Sequence, residues 1–293
     1  GTASAPWIYR GPNTTPDVTF GSQGAYHNDR GPITSSTASN GFMIFDSDFY
    51  DNGGNAGAFG TGQYPANTPA IPGHVGTLIT DTIDCSMYPH ISIVFNSFYR
   101  TFAGNAQIAF SNDGGATFTT PIDVHPGVDV NEQTSNDYEI MIRMPDTIAG
   151  SSTVKMKFIY DGFTTAVSGY YGYYFWMIDD IRLIETPKHL LNLGDETFGG
   201  WWIGYQANQG QGYDLGIDYT FNPISQVTAN PYRLEAVVSN NGYLNQDTCK
   251  LHVDVSTLGS SVFYGSSSGT TIYDNENDTL VTSTYFTPTS LGS

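Results

Sequence analysis

The chain has 293 residues, enough for two domains of ordinary size, and it carries 10 basic against 28 acidic residues, a net charge of -18. This balance argues against binding to nucleic acid or to an anionic membrane surface, because no basic patch is available to neutralise phosphates, and no apolar run is long enough for a membrane span. The 33 glycines, 20 tyrosines and 17 phenylalanines, with only 13% charged residues, indicate an all-β extracellular protein with short strands and many turns.

Residues 1–40 are rich in Gly, Pro, Ser, Thr and Asn. Their first apolar cluster is Trp7, Ile8 and Tyr9. We predict an extended N-terminal arm over residues 1–40 that docks through Trp7. No signal peptide is recognisable, so we interpret the chain as a mature secreted form whose leader has been removed.

Residues 41–187 show alternation and short apolar runs bounded by turns, which predicts a β-domain. Asn112-Asp-Gly-Gly115 is a hairpin signal between two of these runs. A long segment rich in Gly, Asn, Pro and Ala, residues 51–72, predicts a functional loop. The predicted strands are residues 42–50, 76–83, 91–99, 105–110, 117–121, 137–144, 153–160 and 170–183.

Residues 188–293 predict a second domain, an immunoglobulin-like β-sandwich with strands at 233–240, 249–255, 261–264 and 279–286. Such a sandwich would have one or two further edge strands. We therefore expect this domain to be truncated, or to be completed by another chain. Two cysteines, Cys85 and Cys249, fall in different predicted domains and lack any metal-thiolate spacing. They are interpreted as isolated thiols, with an interdomain disulfide as the alternative.

Clustered acids at the two ends of the first domain predict a metal site. Asp46 and Asp48 are two residues apart, so on a strand their side chains share a face, and Asp51 and Asn52 follow at its end. First and last strands of a sandwich often lie side by side, which would add one of Asp179 and Asp180. Oxygen ligands with few basic residues nearby suit Ca²⁺. The alternative is that these acids are solvated loop residues.

The acidic segment does not fit an EF-hand. Tyr50 occupies the place of the third ligand, Gly57 stands at the twelfth position, and no flanking helices are predicted.

Motifs for catalysis are weak. Ser111–Phe118 matches an Asp-box, but the match occurs once, so we interpret it as a folded hairpin turn with Asp113 bonded to the backbone. Among the few glutamates, Glu139 is the only plausible glycosidase acid, and no partner for it is evident. Aromatic clusters at residues 170–176 and 201–205 offer stacking surfaces for a glycan, with Tyr173 and Trp202 as candidate ligand-binding residues and Trp176 expected inside the core.

Three segments together resemble a known domain type. They are Thr37-Ala-Ser-Asn-Gly-Phe-Met-Ile-Phe-Asp-Ser-Asp48, Ile108-Ala-Phe-Ser-Asn-Asp-Gly-Gly-Ala-Thr-Phe118 and Trp176-Met-Ile-Asp-Asp-Ile-Arg-Leu183. With them, residues 37–187 resemble the MAM-like, cleaved-adhesin or choice-of-anchor J jelly-roll domains of secreted Bacteroidetes proteins. The resemblance implies a jelly roll, export, often by the type IX route, and an adhesive or substrate-binding role, commonly with Ca²⁺. The C-terminal sorting domain expected for that route is not visible.

These patterns favour a secreted, non-enzymatic adhesive or cell-surface structural protein, stabilised by calcium. The N-terminal arm and the incomplete second sandwich suggest self-assembly into an oligomer or filament by strand addition. The alternative is a carbohydrate-binding module that accompanies a secreted hydrolase. A hydrolase in its own right is the third possibility, and it lacks a clear acid pair.

Overall fold

The computed structural model describes residues 3–24, 30–52, 54, 56, 74–163, 172–198 and 231–288. The chain divides into two compact units, Gly1–Glu185 and Thr186–Ser293. Both units consist of β-strands with little helix, so the prediction of an all-β fold is confirmed. The finer assignments, a jelly roll and an immunoglobulin-like sandwich, stay predictions. None of the helices in the described part of the chain is long and apolar enough to cross a membrane.

The described residues of the first unit form ten strands and two short helices. They are β1 (Ala3–Ser4), β2 (Ile8–Arg10), a 3-10 helix (Ala38–Asn40), β3 (Phe42–Phe45), helix α1 (Ser47–Asp51), β4 (His74–Ile79), β5 (Ile91–Ala103), β6 (Asn105–Ser111), β7 (Ile122–Asp123), β8 (Glu139–Arg143), β9 (Lys155–Asp161) and β10 (Gly172–Glu185).

These strands form two five-stranded sheets. Sheet A has the order β1-β4-β9-β6-β7, and sheet B has the order β2-β3-β10-β5-β8. The pairs are antiparallel except β1–β4, which is parallel. β3 lies beside β10, so the predicted pairing of the first and last strands of the domain is confirmed.

One aromatic core is shared by the two sheets, because alternate residues of a strand point to opposite faces. Trp176 and Ile178 of β10 pack into it with Phe158 of β9 and Phe95 of β5. Trp176 is fully buried, as its position in the alternation predicts.

Sheet B is buried on its other face as well. Phe175 and Met177 of β10 and Phe98 of β5 pack there against Ile33, which belongs to the segment before β3. Sheet B is therefore a middle layer, which explains why β5 and β10 contain long runs of consecutive buried residues.

The predicted strand over residues 42–50 is wrong in its second half. β3 ends at Phe45, and α1 follows from Ser47. Asp46 is the N-cap of this helix, and its carboxylate accepts the N–H of Phe49. The acid therefore ends the strand and begins the helix.

The second unit contains seven strands among its described residues. They are β11 (Leu191–Phe198), β12 (Leu234–Asn240), β13 (Gln246–Cys249), β14 (His252–Thr257), β15 (Ser260–Ser266), β16 (Thr270–Ile272) and β17 (Asn277–Val281). β11, β12 and β17 form a three-stranded sheet, and β13–β16 and β14–β15 form two-stranded pairs. The core consists of small aliphatic and sulfur-containing side chains: Ala236, Val238, Cys249, Leu251, Ile272 and Leu280.

Both cysteines are buried, and both are free thiols.

Candidate functional site

Residues 3–10, here called the N-terminal segment, supply an edge strand to each sheet of the first unit. β1 pairs with β4 through Ala3 opposite His74, and β2 pairs with β3 through Ile8 opposite Ile44. The segment thus passes from sheet A to sheet B within a few residues. Residues 1–40 had been predicted to form an extended arm, and the structure places the described part of them inside the first compact unit.

Trp7 lies between the two short strands and enters the shared core. Its ring centroid is 5.3 Å from that of Trp176 and 5.9 Å from that of Phe45, in tilted and edge-on geometries that aromatic pairs prefer. The predicted docking through Trp7 agrees with these contacts. The neighbouring backbone is held too, because the hydroxyl of Tyr50 donates to the Pro6 carbonyl at 2.6 Å.

Arg10 ends the segment in a buried ion pair with Asp46. Arg10 Nη2 lies 3.1 Å from Asp46 Oδ2, and both side chains are almost fully excluded from solvent. The same carboxylate accepts the Ser22 hydroxyl, the Gln23 N–H at 2.7 Å and the Phe49 N–H. Burial raises the pKa of Asp46, while the hydrogen bonds from Ser22 and Gln23 and the charge of Arg10 act in the opposite direction.

The buried charges of Arg10 and Asp46 compensate each other. Burial also lowers the pKa of Arg10, and the charge of Asp46 opposes that change. Burial removes the hydration of both charges, and this free-energy cost is offset only by their mutual attraction and by well-placed hydrogen bonds. Removing either charge therefore leaves the other one buried and uncompensated. The N-terminal segment is therefore fixed to the unit at a defined register.

Asp51 has a different structural role at the other end of α1. Its Oδ2 accepts the N–H of Tyr173 at 2.8 Å, and its Oδ1 lies 2.9 Å from His74 Nε2. Tyr173 and Tyr174 have positive φ values of 75° and 63°, a conformation that bulky residues rarely adopt. The hydroxyl of Tyr160 donates to the Tyr173 carbonyl at 2.7 Å. Asp51 and Tyr160 therefore clamp the strained start of β10 from both sides.

Asp48 is buried in the first turn of α1. A Cβ at Gly24 would overlap its carboxylate, so only glycine allows the backbone to approach this closely. Asn52 is the C-cap of the helix.

Asp179 and Asp180 lie elsewhere. In the β3–β10 ladder Phe45 is opposite Trp176 and Met43 is opposite Ile178, so Asp46 and Asp179 extend beyond opposite ends of the pairing. Their positions are separated by about four residues, or about 13 Å along the strands. The Ser35 hydroxyl donates to Asp179 at 2.5 Å, and the hydroxyls of Ser36 and Thr37 donate to Asp180. These hydrogen bonds, with Ser36 first, lower the pKa of Asp180.

The single calcium site predicted from the sequence is therefore not assembled. The antiparallel register separates the two acidic groups, and Asp46 and Asp48 do not share a strand face because α1 begins between them. The Asp46 carboxylate is surrounded by hydrogen-bond donors and a guanidinium, so its lone pairs are already used, and it does not fit as a calcium ligand. Within the described ranges, no three His, Cys, Asp or Glu side chains are grouped to hold a metal ion.

Of the two candidate glycan-binding residues, Tyr173 and Trp202, the structure describes Tyr173. Tyr173 is buried, and its ring packs edge-on against Phe102 with centroids 5.5 Å apart. The prediction that Tyr173 offers a stacking surface is wrong, because its ring belongs to the apolar cluster that covers the outer face of sheet B. Trp202 lies outside the described residues.

One motif interpretation is confirmed by the hydrogen bonds, and the candidate acid Glu139 has a charged neighbour. Asp113 accepts the N–H and the hydroxyl of Thr117, as expected for a folded hairpin turn. Glu139 is half-exposed and forms an ion pair with Arg182 at 2.7 Å.

Arg10, Ser22 and His74 are the residues of this site that the sequence did not single out. The signal for Arg10 was its position directly after the apolar cluster at residues 7–9, in a chain with only ten basic residues.

Comparisons with known proteins assign no family. No family model matches the chain, and no curated protein matches it. Among solved structures, the chain is similar to a GH2 beta-galacturonidase from Eisenbergiella tayi bound to galacturonate, with 10% identity and a TM-score of 0.29. A second structure of a GH2 beta-galacturonidase from the same organism, bound to glycerol, gives 10% identity and 0.28. Each match covers 73% of this chain and 29% of the enzyme chain. Similarity at this level establishes neither a common fold nor a common activity.

Proposed function

We propose that the protein is a secreted, non-enzymatic adhesive or cell-surface structural protein that assembles by strand addition. The observation that carries the proposal is the docking of residues 3–10, which add an edge strand to both sheets of the first unit. Exposed sheet edges pair readily with other chains, and proteins that build surface layers use that pairing.

The docked segment makes contacts of a kind that a neighbouring copy can also provide. They consist of two short strand pairings, one aromatic side chain in the core and one buried ion pair. None of them depends on covalent continuity with residues 11–40. Exchange of an identical segment between copies therefore preserves every contact while linking the copies, which is the physical basis of domain swapping.

The extracellular part of the proposal is supported by composition and by the family resemblance. Only 13% of the residues are charged, and Gly, Tyr and Phe are abundant, as is typical of exported β-proteins. The carbohydrate-binding alternative has less support, because Tyr173 is buried. Calcium has no part in this proposal, because Asp46 binds Arg10.

Peptide complementation tests the proposal directly. We would delete residues 1–10 and measure the thermal midpoint of the remaining chain with and without a synthetic peptide of that sequence. We expect the deletion to destabilise the first unit and the peptide to restore it. A matched peptide with Trp7→Ala and Arg10→Ala is expected to give no rescue.

Self-association is the second measurement. Sedimentation velocity of the intact chain at increasing concentration should show oligomers that disappear on deletion of residues 1–10. A chain that stays monomeric, together with a deletion that no peptide rescues, would contradict assembly by exchange of this segment.

A further inference from the structure

A groove of about 490 Å³ runs along the outer side of β17 in the second unit. One wall is β17 with the residues that follow it, and the other is the connection between β15 and β16, including Ser267 and Thr270. The lining is mainly polar, with Arg233 and Tyr285 at its border. A groove beside a strand has the shape that an added strand requires.

Among the described residues, the backbone of β17 has one paired side and one open side. Thr282 N–H donates to the Leu234 carbonyl at 2.9 Å, and Asn240 N–H donates to the Glu276 carbonyl at 2.8 Å. Even-numbered residues of this strand therefore bond to β12, and alternation turns the N–H and C=O groups of Thr279 and Val281 towards the groove.

Among the described residues, a backbone hydrogen bond is formed only at the C-terminal end of this open side. Ser283 N–H, which points the same way, donates to the Ser266 carbonyl at 2.9 Å. Among the described strands only β12 pairs with β17. β17 contains neither Lys nor Pro, two residues that commonly protect an edge against pairing.

Opposite charges mark the two ends of the groove. In the ladder Glu235 is opposite Val281, so Arg233 lies at the C-terminal end of β17, while Asp278 lies near its N-terminal end. No ion pair to either side chain is formed within the part of the chain that the structure describes. A ligand strand that runs antiparallel to β17 would place its first residues beside Arg233 and its last beside Asp278.

We infer that this groove accepts an extended strand of a partner protein, one with an acidic side chain beside Arg233 and a basic side chain beside Asp278. The strand pairs antiparallel with β17 through the backbone groups of Thr279 and Val281, and the charges set its direction. The inference rests on the proposed assembly by strand addition and adds to it a second acceptor edge, which lies in the second unit. The -18 net charge of the chain further favours the basic residue of such a strand.

The test measures binding of a fluorescent peptide, acetyl-Glu-Val-Thr-Val-Lys-amide, to the full chain by anisotropy. We expect saturable binding that Thr279→Pro weakens by about tenfold or more, because proline removes the central N–H of the open edge. Thr279→Pro should fold, since that N–H does not bond to β12, and proline is tolerated on such edges. Thr279→Val keeps the N–H and is the matched control, expected to bind within about twofold of wild type.

A peptide with Glu and Lys exchanged tests the charges. It needs the less stable parallel orientation to satisfy Arg233 and Asp278, so we expect weaker binding, and Arg233→Gln should reduce the difference between the two peptides. Equal binding of the probe to wild type and Thr279→Pro, with both folded by circular dichroism, would overturn the assignment, as would no binding to wild type.

Sedimentation of the same samples separates this inference from the proposed function. If wild type forms oligomers but does not bind the probe, assembly stands and only this acceptor is overturned. A strictly monomeric wild type that still binds the probe at Thr279 supports the acceptor and contradicts assembly between copies.

Discussion

The two units differ in how they treat their sheet edges. In the first unit, the N-terminal segment pairs with β4 and with β3, so the chain protects the edge of each sheet with its own residues. In the second unit, no described strand pairs with the side of β17 that faces away from β12. Within the described residues, the first unit therefore uses its own N-terminal segment as an edge strand, and no equivalent segment lies on β17.

The hydrophobic cores of the two units also differ. The first unit packs many aromatic rings between its sheets, and a second apolar cluster covers sheet B from outside. Among the described residues of the second unit, the core cluster consists of a few aliphatic side chains and Cys249. Because buried apolar area is the main source of stability, we expect the first unit to be the more stable one, and the variants below test which contacts create that difference.

Trp7→Ala should give the largest effect. Loss of this buried ring is expected to destabilise the first unit by about 3–5 kcal/mol. Hydrogen exchange measured by mass spectrometry should show faster exchange in β3 and β10, with β12 unchanged. Phe20→Ala, at a residue 51% exposed, is the control and should stay within about 0.5 kcal/mol of wild type. An equal effect of both variants would mean that the segment does not stabilise the core.

Asp46→Asn should follow, at about 3 kcal/mol, because it leaves the buried Arg10 without a counter-charge. Chemical denaturation of the variant gives the loss directly. The double variant Arg10→Met/Asp46→Asn is expected to recover part of it, as a coupled pair should. Arg182→Gln disrupts a half-exposed pair and is expected to cost less than about 1 kcal/mol. Strict additivity of the Arg10 and Asp46 variants would contradict the coupling.

Acid sensitivity of the first unit should depend on His125. Trp176 Nε1–H donates to Ser97 Oγ at 2.8 Å, and this hydroxyl lies 2.7 Å from His125 Nε2, so it can donate its own proton to a neutral imidazole. Burial lowers the pKa of His125 to about 4.

The sign of the effect follows from that lowered pKa. Below pH 6.5 the unfolded state takes up the proton first, so stability should fall as the pH drops towards 4 and then level off. We expect a loss of about 2 kcal/mol by about pH 5 in denaturation curves, and His125→Gln should flatten this dependence. The same slope in the variant would assign the acid sensitivity to other groups.

Chelation should give the smallest effect. Addition of EDTA is expected to shift the thermal midpoint by less than about 1 °C, because Asp46 is held by protein donors instead of a metal. Differential scanning calorimetry with and without added Ca²⁺ provides the measurement. A midpoint that falls by several degrees would restore calcium to the structure.

Much of the fold was predictable from periodicity. β5, β9 and β10 are long apolar or alternating runs, and their positions agree with the predicted strands. The Asp-box turn was also predictable, because its hydrogen bonds are local in sequence. Local patterns are read directly from neighbouring residues, and the tertiary structure did not override them.

The site was less predictable, because it depends on long-range pairing. Residues 42–50 look like one strand, and the capping role of Asp46 emerges only once α1 is present. Arg10 meets Asp46 across 36 residues, within a segment that lacks any regular pattern. Tyr173 was misjudged because alternation places it on the face of sheet B opposite Trp176, and that face is covered as well.

The alternation of core and outward-facing residues along β9 has a practical consequence for chemical labelling. The only lysines of the first unit, Lys155 and Lys157, both lie on β9 of sheet A and alternate there with the core residues Met156 and Phe158. Dyes, cross-linkers and sensor surfaces that couple to the lysine side chains of this unit will therefore attach through a single face. Lys157 sits 4.0 Å above the ring of Phe118, so coupling there also reports on the Asp-box turn.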